Sequence, residues 1–80
     1  MSNAWDSQVD AMADTIEGMV RSGKGEVSEF RSTANDTISK VGASLPENVR
    51  NALHERLNAR LDKLEAEVNA KIFESFLKKL

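Results

Sequence analysis

Among these 80 residues there is no cysteine and no tyrosine, and there are only one proline, one tryptophan, one histidine, three phenylalanines and four glycines. Without cysteine there are no disulfides, no thiolate metal sites and no thiol nucleophiles, and the redox compartment stays open. With Pro46 as the sole proline, most of the chain lacks a residue that must break a helix. Neither sign of charge dominates: 11 basic residues face 13 acidic ones, a net charge of -2. Such a balance gives no electrostatic footprint for nucleic acid. No apolar run approaches the roughly 20 residues of a membrane span, and the start lacks the basic region and apolar stretch of a signal peptide. The expectation is a soluble protein with no membrane or nucleic-acid partner. A chain of this size buries only about 60–65 % of its unfolded surface, so help from a second chain is expected.

What the sequence has is helical periodicity. From Trp5 to Val20 the apolar positions Trp5, Val9, Met12, Ile16 and Met19 recur at alternating steps of four and three, a heptad seam over two repeats. Ser2 or Asn3 suits the cap of this helix, and Asp6 and Asp10 sit near the positive end of its dipole. Gly18 is a weak point within it. The sequence Arg21-Ser22-Gly23-Lys24-Gly25 reads as a turn, with Gly23 in the left-handed position that ends a helix. Apolar spacing resumes at Val27, Phe30, Ala34, Ile38 and Val41. This second helix is rich in Ser, Thr, Asn and Asp, which favour caps and turns, so it depends on tertiary contacts, and a break near Asn35-Asp36 is the alternative. Gly42 stops it, and Ser44-Leu45-Pro46-Glu47 has the spacing of a capping box.

From Pro46 to Leu80 there is no glycine and no further proline. The apolar residues Val49, Leu53, Leu57, Leu61, Leu64, Val68, Ile72, Phe76 and Leu80 recur every three or four positions, read here as one stripe along one side of a rod about 52 Å long. The two preceding helices are near 24 Å each and cover only about half of that rod. The expected fold is all-α: a hairpin of helices over 4–21 and 26–41, joined by a turn at 22–25, packed on a long helix over 45–80 and completed as an oligomeric helical bundle. Val49 to Leu61 is the half expected to be covered. The expected interface is Leu64, Val68, Ile72, Phe73, Phe76, Leu77 and Leu80, because an apolar patch of that size does not stay bare on a soluble monomer.

Other features are read as ordinary. His54 lies beside the leucine stripe without a second histidine or a carboxylate cluster, so it is taken as a surface residue rather than an acid/base or metal group. Ser22-Gly23-Lys24-Gly25 lacks the spacing of a phosphate loop, and Asn35-Asp36-Thr37 matches a glycosylation sequon without a secretory signal. Arg50, Arg56, Arg60 and Lys63 are interleaved with acids and read as a solvated mixed-charge face. No catalytic, cofactor-binding or metal-binding residue is assigned.

The helix ending Met19-Val20-Arg21-Ser22, the following Gly23-Lys24, the apolar Val27 and Phe30 three and six positions after the lysine, and the helix on to Val41 together resemble the carboxy-terminal segment of tape measure proteins from lambda-type phage tails. The ending Ala70-Lys71-Ile72-Phe73-Glu74-Ser75-Phe76 is also similar to the way such segments close. The charged rod from Glu47 to Asn69 has no counterpart there, and the family segment belongs to a far longer protein. The resemblance implies helical contacts in a tail assembly and no catalysis. The functional expectation is therefore a non-enzymatic assembly module, a homo-oligomer related to phage or prophage tails. The alternative is a small inhibitor or adaptor that docks its apolar carboxy-terminal helix in the groove of another protein.

Overall fold

The computed structural model describes residues 4–80, and the proposed Ser2 or Asn3 cap lies outside them. Three helices follow one another: α1 (Ala4–Arg21), α2 (Val27–Val41) and α3 (Glu47–Lys78). The described residues are all-α, and the molecule measures 53 × 24 × 17 Å, the length being that of α3.

The turn between α1 and α2 follows from Gly23. Its φ of 77° is open to glycine and strained for other residues. With that residue left-handed, the Lys24 N–H reaches back to the Met19 carbonyl at 2.9 Å and the Gly23 N–H to that of Val20 at 3.1 Å. This is the Schellman arrangement, and it closes α1 where the sequence places the turn. Both N–H groups are thereby engaged, so the Ser22–Gly25 stretch is a helix terminator rather than a phosphate cradle.

The second turn differs from expectation. The residue before the first turn of α3 is Pro46, and no side chain caps the helix, so Ser44 and Glu47 do not form a capping box. Arg50 stabilises the turn instead, donating from Nη1 to the carbonyl of Leu45 at 3.2 Å and, more weakly, to that of Ala43 at 3.4 Å. Gly42 is required here by close approach: a Cβ on it would stand 2.9 Å from the Ile38 carbonyl oxygen and 3.3 Å from Leu45 Cδ1. α2 runs unbroken through Asn35-Asp36.

The three helices are held by one small core. Val9, Ala13 and Ile16 of α1 and Val27, Ala34 and Ile38 of α2 pack with Leu53, Leu57, Leu61 and Leu64 of α3, and Leu57 and Leu61 are sealed completely. Leu64 is only 4 % exposed, so it belongs to the core and not to the uncovered half of the rod. Val68, half-buried against the same cluster, marks the edge. The boundary therefore lies about two helical turns further along than Leu61.

α1 runs parallel to α3 and α2 antiparallel to it. Asp10 meets Arg56, Asp14 meets Arg60 and Arg21 meets Glu67, each pair 46 residues apart, a constant offset possible only for parallel strands of contact. Along α2 the order reverses: Ser39 meets His54, Asn35 meets Asn58, and Arg31 meets Asp62. Each short helix packs mainly on α3 and only lightly on the other. A groove is left between α1 and α2 on the side away from α3.

Candidate interaction surfaces

The far end of α3 is the first surface. Every residue from Asn69 to Leu80 is exposed, and within this stretch Phe73 is 62 % exposed, Phe76 58 % and Leu80 86 %, with Ile72 and Leu77 also more than half open. Of the seven residues expected at an interface, these five are free in the chain itself, while Leu64 is internal and Val68 half-internal.

The apolar row on α3 is not confined to one side of the rod. A residue turns about 100° around a helix, so each step of four advances the row by about 40° and only a step of three turns it back. Leu53, Leu57, Leu61 and Leu64 are spaced four, four and three and stay together beneath the short helices. After Leu64 the steps to Val68, Ile72, Phe76 and Leu80 are all four, so the row winds away from the core direction. With Phe73 and Leu77 added, the tail presents an apolar face spread over an arc of about 140°, beginning roughly 80° round from Leu64. The line that continues Leu57 and Leu64 is held by Lys71, Ser75 and Lys78.

The groove between α1 and α2 is the second surface. Met12, Thr15 and Met19 of α1 face Phe30, Thr33 and Thr37 of α2 across a hollow of about 380 Å³, floored by Ile16 and Ala34. The lining contains no charged side chain. Sequence reasoning placed Met12, Met19 and Phe30 in the helix seams and did not see that they edge a hollow. The signal was available in the threonines at 15, 33 and 37, small residues beside the seam that leave space where larger ones would close it.

Several of the charged groups have structural partners. Arg56 binds both carboxylate oxygens of Asp10 at 2.8 Å, and Arg60 donates to Asp14 at 2.6 Å. The hydrogen bond from Arg56 holds the Asp10 carboxyl below its ordinary range, and the same bonds push the guanidinium groups of Arg56 and Arg60 further up. The face read as solvated is thus in part an inter-helix ladder. His54 also departs from the surface reading. It is half-buried, with Nδ1 2.7 Å from Asn35 Oδ1 and Nε2 3.2 Å from Ser39 Oγ. Asn35 donates from Nδ2 to Asn58 Oδ1 at 2.9 Å and to the Arg31 carbonyl at 2.9 Å, and Arg31 donates to Asn58 Oδ1 at 3.2 Å. This network fixes the register of α2 on α3 and occupies the Asn35 amide, the nitrogen that the sequon would modify.

Among the described residues no three His, Asp or Glu side chains converge as a metal site, and no helix is long and apolar enough to cross a membrane. Compared with known proteins, the chain matches no family model, no curated protein and no solved structure.

Proposed function

We propose that the protein is a non-enzymatic helical assembly module that associates with further copies of itself through the far half of α3. The observation that supports this is the tail: the last turns of α3, with Leu80 just beyond them, hold five large apolar side chains in water, in a chain whose own core ends at Leu64 and Val68. An isolated helical overhang gains little from propensity alone, since most helical stability in proteins comes from packing an apolar face. Covering that face would stabilise both the helix and the assembly. The resemblance of the Trp5–Val41 segment and of the Ala70–Phe76 ending to tape measure segments of phage tails implies an assembly role of the same kind, and a gene position among tail genes would support the tail-related form of the reading.

The test is sedimentation equilibrium from about 1 µM to about 1 mM, a range over which interfaces of moderate affinity titrate. The mass is expected to rise with concentration above that of one 8.8 kDa chain. A monomer at every concentration, with full helicity, overturns the reading and leaves the adaptor, whose tail would dock in another protein.

A further inference from the structure

We propose that the tail of one copy, Ile72 to Leu80, seats in the α1–α2 groove of the next, head to tail. This rests on the self-association reading and specifies its geometry. The two surfaces are both apolar, one a ridge and the other a hollow, and they cannot meet within one chain because α3 is a single continuous helix whose tail leads away from the groove. Their lengths agree. The groove wall on α1 runs from Ala11 to Met19, about 12 Å, that on α2 from Phe30 to Thr37, about 10 Å, and the helical part of the tail from Ile72 to Lys78 about 9 Å, with Leu80 just beyond the helix end.

The shape of the tail favours a groove over a second tail. An apolar face about 140° wide exceeds the narrow seam by which two lone helices pair, whereas two groove walls cover a helix from both sides. Five side chains at these exposures amount to on the order of 500–600 Å² per tail. Stable interfaces bury about 800 Å² per partner, and a tail touching only another tail would hide a fraction of its own area. Set between α1 and α2, the tail completes a local four-helix cross-section with α3 of the receiving copy.

Charge does not oppose the pairing. The groove lining has no charged side chain, and Asp10 and Asp14 of α1 are already held by Arg56 and Arg60 of the same chain. The tail from Lys71 onward, with three lysines and one glutamate, +2, therefore meets no fixed charge in the lining. Because donor and acceptor surfaces differ, the contact is heterologous, so each copy offers one ridge and one hollow.

The experiment mixes two variants. Thr15→Arg with Thr33→Arg blocks the groove at exposed positions and leaves the tail intact. Phe76→Glu with Leu77→Glu blocks the tail and leaves the groove. Each variant alone is expected to be monomeric, with its dissociation constant for self-association raised at least about tenfold, and the two together are expected to form a one-to-one dimer and nothing larger. A groove-blocked variant that still associates as the parent does, or a mixture that yields no heterodimer, overturns the head-to-tail contact while leaving self-association standing. A parent that never associates removes both. Far-UV circular dichroism confirms that each variant is folded, and Ala11→Arg with Thr37→Arg replaces the first pair if that pair loses helix.

Discussion

At the scale of single residues the glycines separate into two kinds. Gly18 is helical and exposed, and a Cβ there would meet nothing within 4 Å. Gly18→Ala should stabilise the protein by about 0.5–1 kcal/mol, read as a higher midpoint in thermal or urea unfolding. Gly42 is buried against a backbone carbonyl that cannot yield as a side chain can. Gly42→Ala should lower stability by about 1–2 kcal/mol in the same measurement, even though the local φ of -92° suits alanine. The terminator at Gly23 was legible because it depends on backbone conformation and nearest neighbours. The role of Gly42 was legible only as a stop, since its close contacts include Leu45 from the far side of the turn. Ser44 illustrates the limit of a motif: its spacing to Glu47 fits a capping box, yet Arg50 binds the turn carbonyls and Pro46 takes the capping position.

At the scale of helices, the ladder between α1 and α3 ties stability to acid. Asp10 has its carboxyl pKa lowered in the folded state, first by the hydrogen bond from Arg56, which outweighs the opposing effect of burial, and to a lesser degree by the charges of Arg56 and Arg60. A lowered folded value means that the stabilisation is present above the ordinary carboxylate value of about 3.9 and is lost as pH falls through the lower folded value. Unfolding midpoints measured from pH 6 down to pH 2 should therefore drop less steeply in Arg56→Gln than in the parent, most visibly at low salt because the pair is partly exposed. The helices themselves were readable from apolar spacing, since short-range periodicity reflects which face is buried. Their mutual arrangement was not, because the pairing of Asp10 with Arg56 or of Asn35 with His54 joins residues whose proximity exists only after folding. The same reason explains the misplaced boundary on α3: length alone put the end of coverage at Leu61, whereas the real end depends on where Val20 and Val27 meet the rod, near Leu64 and Val68.

For the whole molecule, one core and one overhang should behave as separate energetic regions. Leu61→Ala, at a site sealed from water, should cost about 2–4 kcal/mol, and Leu77→Ala under about 0.5 kcal/mol when measured on dilute, monomeric protein. Equal losses at the two sites would place the tail within the core's cooperative unit. The all-α class was legible from spacing, and so was the excess length of the last helix. The winding of its apolar row was written in the run of four-residue steps after Leu64, but spacing judged as "three or four" hides the accumulation of about 40° per step. The groove was hidden for another reason, because a hollow between two helices depends on how lightly α1 and α2 touch.

The constant separation of 46 residues between partners on α1 and α3 also has a kinetic meaning. α2 and α3 join through the short turn after Val41, and their contacts begin 15 residues apart at Ser39 and His54. α1 has no such short route, since each of its ladder contacts closes a long loop at a larger entropic cost. Folding should begin with α2 and α3 as a two-helix nucleus, with α1 docking after the barrier. In stopped-flow experiments Ile16→Val should chiefly accelerate unfolding, and Ile38→Val should chiefly slow folding. A chain built this way gains its central rod first and its parallel strut last.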